Sequence, residues 1–291
     1  MSVTSTAIKV KPLSGAVGAE IEGVDLAAAL SDESFAQIYQ AFSDHGVLMF
    51  RNQSLTEQQH TAFARRWGEI NINRFFKAVD GHPTIAEVRK EPDQKINIGH
   101  NWHADHSYDT VPALGSILYA REVPDFGGDT LFSGMYRAYE TLSPGLRQTL
   151  ESLKAFHTSR HIFGNLAAEK PDTVSRVGNA ELATQEAIHP VVIRHPISGR
   201  KALYVNPEFT VHIDGWTKQE SQPLLDFLYR HASSPDFTCR VRWEKGSLAI
   251  WDNRATWHCA LNDYQGRRRL MHRITVEGVP LTGAQDIVSE R

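Results

Sequence analysis

The sequence predicts a mainly β fold, a β-sandwich or jelly roll with α-helices flanking its core. Three observations carry that expectation. "KALYVN", "FTCRVRW", "SLAIWDN" and "RLMHRITVEG" alternate, or are rich in β-branched and aromatic residues, and turn residues bound them. Helical periodicity gathers toward the first two-thirds of the chain. No repeat, low-complexity tract or Pro/Gly-rich linker divides the 291 residues, so residues 1–291 are expected to form a single domain.

In chain order, "SDESFAQIYQAFSDHG" places Phe35, Ile38, Tyr39 and Phe42 on one helical face, with Ser31 as N-cap and Gly46 as terminator. "GVLMF" is the strand that closes this first helical unit. "TEQQHTAFARRWG" opens with Thr56 and Gln59 in capping-box spacing and stops at Gly68. "SPGLRQTLESLKAF" sets Pro144 at the first helical position after Ser143, with Leu146, Leu150 and Leu153 as the buried stripe. "TKQESQPLLDFLYRHA" repeats the capping box with Thr217 and Glu220, and Pro223 is expected to bend or delay the helix. "EKGS" is read as a hairpin turn between two strands.

Composition removes several function classes. With 41% hydrophobic residues the chain can bury a substantial core. Net charge is −3, and the densest basic patch, "GRRRLMHR", is short and interleaved with apolar residues, which argues against a nucleic-acid partner. Cys239 and Cys259 are the only cysteines, too few for a disulfide scaffold and without zinc-knuckle spacing. The start, "MSVTSTAIKVKPL", has no apolar stretch followed by a small-residue cleavage site, and no window approaches the ~18 apolar residues of a spanning helix. A reducing cytoplasm without membrane contact is the expected setting. Self-association into a homo-oligomer stays open.

"NIGHNWHADHSYD", Asn97 to Asp109, packs three histidines and two aspartates into thirteen positions. Along an extended segment, residues i and i+2 share a face. His103 and Asp105 then present an imidazole and a carboxylate together, while Trp102 and Ala104 turn away. "WDNRATWHCALNDY" supplies His258, just after a strand, as a third donor. Two histidines and one carboxylate on one face leave three coordination positions open, the facial triad of non-haem iron(II) oxygenases. Taken singly, His100, His106 and His258 read equally as satisfied core or surface residues, and a bare His-x-Asp is weak. Two arginines beyond His258 strengthen the case for a metal. Arg269 and Arg273 share one face of "RLMHRITVEG", about 13 Å apart at ~3.3 Å per residue. Two inward arginines on an apolar strand are costly unless each meets an anion. Structural salt bridges are the plain alternative, and two acidic ligands near one metal the pointed one.

"NWHAD", "GGDT", "LYVN..F", "WDNRATWH" and "RRLMHR", in this order, resemble the taurine dioxygenase family of iron(II)/2-oxoglutarate-dependent oxygenases. The resemblance runs from "LSGAVGAEIEGVDL" to "HRITVEG" and implies a distorted double-stranded β-helix of the jelly-roll type. By that resemblance, His103, Asp105 and His258 are the iron ligands. Thr130 and Arg269 grip the distal carboxylate of 2-oxoglutarate, which a charge-assisted, bidentate partner suits. Parity excludes Arg268, and the family register selects Arg269 over Arg267. Arg273 resembles the residue that holds the acidic head group of the primary substrate. The implied reaction consumes O₂ and 2-oxoglutarate, releases succinate and CO₂, and hydroxylates the substrate. Beside a heteroatom, the product collapses and releases, for example, sulfite or a phenol. His272 and Cys259 are expected bystanders.

The substrate wall departs from the taurine enzymes. Phe163 and Phe209 match aromatic wall residues, or else are ordinary core aromatics. Asn73 stands where the family has a histidine, Phe76 where it has a tyrosine and Gly99 where it has an asparagine. His106 occupies a position that is usually apolar. Retaining Arg273 while losing polar partners for an ammonium points to a small organic anion with an apolar tail: a sulfonate, sulfate ester or aryloxyalkanoate. Taurine itself is the alternative. A zinc hydrolase and a non-catalytic jelly-roll binding protein are more distant ones; the first does not account for Thr130 with Arg269, and an intact triad argues against the second.

Overall fold

The computed structural model describes residues 8–164 and 178–286. Residues 1–7, the first part of the stretch read for a leader, lie outside them. Helix ends follow the capping chemistry. Ser31 accepts from the Ser34 N–H and opens the Asp32–His45 helix; Gly46 closes it at φ 71°, a conformation that favours glycine, and donates to the Phe42 carbonyl. Thr56 and Thr217 complete capping boxes with Gln59 and Glu220, opening the Glu57–Arg65 and Lys218–Ala232 helices. The expected delay at Pro223 does not occur. The helix starts at Lys218 and runs through the proline, which is exposed together with Gln219, so water can satisfy the Gln219 carbonyl that loses its donor. The Pro144–Glu151 helix buries Leu150 but ends before Leu153, and Lys154–Thr158 continues as a strand. Two short helices, Met135–Glu140 and Arg160–Phe163, were not expected.

The larger sheet has nine strands. Its order is Lys9–Pro12, Ala19–Glu22, Val47–Phe50, Leu248–Asp252, Gly115–Glu122, Arg269–Val276, His82–Lys90 and Ala78–Val79, with Ile70–Asn71 also paired to Arg269–Val276. Thr130–Gly134 lies between Thr238–Val241 and Thr256–Ala260 in a second sheet of three strands. Two further three-stranded sheets are Glu186–Pro190, Lys154–Thr158 and Thr210–Ile213, and Lys201–Leu203, Val192–Arg194 and Thr282–Gly283.

Period-two alternation sorts the larger sheet into two faces. Leu48, Phe50, Ile117, Ile250 and Ile274 pack against Ile38, Phe42 and Phe63 of the outer helices. Their neighbours Val47, Met49, Leu118, Trp251 and Met271 pack inward against Phe132, Cys239 and Val241 of the second sheet. Sheet on sheet with helices outside is the jelly-roll, double-stranded β-helix arrangement. "EKGS" proves not to be a hairpin turn. Ser247 N–H does donate to the Glu244 carbonyl, but Thr238–Val241 pairs in the second sheet and Leu248–Asp252 in the larger one. The turn carries the chain from one layer to the other.

Candidate active site

His103 and His258 face each other across an isolated antiparallel bridge, each backbone N–H donating to the other's carbonyl at 3.0 and 2.8 Å. Opposed residues in such a pair project side chains to one face, and the two ring centroids lie 4.0 Å apart. The expected extended run through Asp105 is shorter than read. Only His103 pairs, and the chain then turns, with His106 at φ 59°. Asp105 still brings its carboxylate to the imidazoles, Oδ1 at 3.6 Å from His103 Nε2 and Oδ2 at 4.0 Å from His258 Nε2. Trp102 and Ala104 point the other way, into the hydrophobic core. One donor atom from each of the three buried residues falls within 4.8 Å of the others.

Hydrogen bonding leaves these donors free to ligate. His103 Nδ1 is 2.8 Å from the Asn101 carbonyl, so it carries the proton and leaves the Nε2 lone pair open. Burial, and after it the neighbouring His103, hold His258 well below the usual histidine range, so it stays neutral. Burial alone would raise Asp105; the Arg273 charge and the surrounding imidazoles outweigh it and hold the carboxyl well below its usual range. Its Oδ2 accepts from Ser116 Oγ at 3.0 Å and from Arg273 Nη1 at 3.4 Å. A buried set of two imidazoles and one carboxylate suits a divalent first-row metal.

All eleven candidate site residues line one cleft of about 800 Å³, counted out to its open mouth. Arg269 is 4% exposed, yet its Nε and Nη2 have no hydrogen-bond partner among the described residues. Burial lowers its pKa. Unpartnered guanidinium N–H groups inside a protein suit an anionic ligand. Beside it, Thr130 Oγ1 accepts from Trp243 Nε1 at 3.0 Å, which leaves the hydroxyl proton to donate. Gly128 is held to glycine by its φ of 70°, and a Cβ there would come within 3.3 Å of Arg269 Cδ. Arg267 and Arg268 turn outward to Asp125 and to Glu91 with Glu122.

Over residues 9–275 the chain matches the model of the "Taurine catabolism dioxygenase TauD, TfdA family". The chain belongs to that family. An alkylsulfatase of Acinetobacter baylyi is 34% identical over 284 residues, covering 96% of this chain and 88% of that protein. An alpha-ketoglutarate-dependent sulfate ester dioxygenase of Pseudomonas putida is 34% identical over 274 residues, 93% and 90% of the two chains. The crystal structure of a taurine dioxygenase from Burkholderia xenovorans superposes with a TM-score of 0.81 at 37% identity, covering 96% of this chain and 94% of that one.

Around this cleft, Phe76 lies under Arg273, ring centroid to guanidinium 4.7 Å. Asn73 is spent locally, its Oδ1 accepting from the Phe75 and Phe76 N–H groups at 2.9 and 2.8 Å. Gly99, at φ 77°, lies so close to His103 that a Cβ would stand 3.0 Å from its Cε1. Phe163 stacks on Phe75 at 4.4 Å, and Phe209 meets His103 edge-on at 6.2 Å. His106 Nδ1 is 2.8 Å from Asp109, whose carboxylate also takes Arg74 Nη2 at 2.7 Å. His272 lies on the opposite face, bonded to Arg121, with burial lowering its pKa to about 4. Cys259 Sγ points to the His100 carbonyl. The sequence reading missed Ser116, Trp243 and Glu208. The last stands at one of the two unspecified positions of "LYVN..F", and its carboxylate lines the cleft. Its single signal was an acidic residue within a motif otherwise apolar or amide.

Proposed function

We propose that this chain is an Fe(II)- and 2-oxoglutarate-dependent dioxygenase that hydroxylates a small organic anion: a sulfonate, a sulfate ester or an aryloxyalkanoate. The observation that carries the reading is one cleft joining the buried His103, Asp105 and His258 donor set to the two unpartnered nitrogens of Arg269. His103, Asp105 and His258 would hold the metal. Arg269, with the Thr130 hydroxyl beside it, would grip the distal carboxylate of 2-oxoglutarate. Together with O₂, the bound iron and 2-oxoglutarate supply the oxidation of a C–H bond, with succinate and CO₂ as co-products.

Arg273 orients the substrate by its acidic head group. Its Nε has no partner among the described residues, while Nη1 stays near Asp105, so one guanidinium links head group and metal carboxylate. Phe76, Phe163 and Phe209 hold the apolar remainder and keep water away, and His106 borders it. On a carbon bearing an ester or ether oxygen, hydroxylation yields a product that collapses and releases the oxyanion.

Taurine is the second reading, and one observation favours it: Glu208 adds a carboxylate to the cleft that an ammonium could meet. Asn73, Phe76 and Gly99 offer an amine no such group, and an ammonium buried against phenylalanine without a partner costs several kcal/mol. The test is 2-oxoglutarate-dependent succinate release with matched pairs of sulfonates, sulfate esters and aryloxyalkanoates, one of each pair carrying a terminal amine. The amine-free member should turn over faster in every pair; a consistent preference for taurine and its analogues would reverse the substrate assignment and leave the iron chemistry standing.

Two free cysteines support a reducing cytoplasm, and no described helix is long and apolar enough to cross a membrane. The single-domain reading of 1–291 is supported by a larger sheet that draws strands from Lys9 through Val276.

A further inference from the structure

We infer that Glu208 is a positioning residue for the candidate metal ligand His103. The inference rests on the metal reading above and adds a residue to it. Glu208 Oε2 lies 3.3 Å from His103 Nδ1, on the ring edge away from Asp105, and its side chain is only 10% exposed. Among the described residues no side chain donates a hydrogen bond to this carboxylate, and its ion-pair contact is the His103 ring. Burying an acceptor without a donor is unfavourable, so the Nδ1 proton is its natural partner.

That proton is directed at the Asn101 carbonyl at 2.8 Å; Glu208 makes no hydrogen bond with it but places a carboxylate charge beside it. A carboxylate behind a ligating imidazole fixes the tautomer and makes the opposite nitrogen a better donor. The backbone of Glu208 is held to suit this. Asn206 Oδ1 accepts from the Phe209 N–H at 2.9 Å, Asn206 Nδ2 donates to Ser107 Oγ at 2.9 Å, and His161 bonds the Glu208 carbonyl. One turn thus sets Glu208 on the edge of the His103 ring and Phe209 against its face. His258 has no such support, since its Nδ1 has no hydrogen-bond partner among the described residues. One imidazole has polar partners at its Nδ1 edge, and the other is held by its strand and by ring packing against Trp251 and Phe132.

The test is calorimetric titration of Mn(II), as a probe metal, into the metal-free full chain, with metal-free thermal melting alongside. Glu208→Ala should weaken Mn(II) binding about 10–100-fold. Glu208→Gln keeps an acceptor oxygen and should fall between wild type and alanine, with melting unchanged in both. If the alanine variant does not fold, the glutamine variant decides, with at least ~3-fold weaker binding expected. Wild-type affinity in the folded variants would overturn the inference. So would unchanged Mn(II) affinity combined with selective loss of amine-bearing substrates, which would make Glu208 a substrate contact. A wild-type chain that binds no Mn(II) would overturn the metal reading as well.

Discussion

Two buried carboxylate–arginine groups of this fold are built in opposite ways. Asp252, at the end of the Leu248–Asp252 strand, is saturated: Oδ1 accepts from Arg254 N and Nε, and Oδ2 from Arg254 Nη2 and His195 Nε2, all at 2.7–2.9 Å. Asp105 has one short bond from Ser116 and a long one from Arg273, and Arg269 keeps two nitrogens without partners. Both aspartates resist burial because positive charge holds them ionised. A structural carboxylate spends its lone pairs on protein donors, whereas one kept for a ligand leaves them open. Unsatisfied polar atoms are costly in a core, and those of Arg269, which face the cleft, are placed for a ligand to complete their bonding.

The sharpest break would come at Asp105. Asp105→Ala should abolish succinate formation while urea denaturation still shows a folded chain; full activity with iron would show that the triad is misassigned.

Arg269→Ala should raise the 2-oxoglutarate requirement by two orders of magnitude or more, since a carboxylate left without its buried partner costs on the order of 3–5 kcal/mol. Mn(II) affinity should hardly change. Unaltered 2-oxoglutarate affinity would move the role to another cation.

Asp252→Asn should do the reverse, lowering stability by about 3–5 kcal/mol in urea denaturation because Arg254 loses its counter-charge and one acceptor oxygen becomes an amide N–H donor facing other donors. Its pH signature comes from a folded-state pKa lying below the unfolded value. The stabilisation is complete above pH ~4 and is lost only as pH falls further, toward the folded pKa. A urea midpoint that declines between pH 7 and 5 in wild type but not in the variant would contradict this.

Smallest of all, Cys259→Ser should leave Mn(II) affinity within about 2-fold of wild type, because Sγ contacts only a carbonyl away from the donor set. Loss of metal would place the cysteine in the site.

Much of this protein was legible in its sequence because the chemistry involved is local. Caps at Ser31, Thr56 and Thr217 act over three or four residues, and so does the alternation that puts Arg269 and Arg273 on one face and His272 on the other. His-x-Asp with a distant histidine proposes a donor set, and the family register assigns roles to it. Partner choice was not legible. "EKGS" has hairpin chemistry, yet which strands it joins depends on sheets assembled from residues far apart in the chain. Nor could local pattern tell that residues 105–108 turn rather than extend, that Asn73 is spent on its own loop, or that Glu208 arrives behind His103 from 105 positions away. Periodicity and capping are written into neighbouring residues, so the sequence by itself determined the elements and the candidate ligands. Hydrogen-bond saturation is a sum over everything packed around an atom, and only the tertiary structure could decide that Asp252 is closed while Asp105 and Arg269 are open.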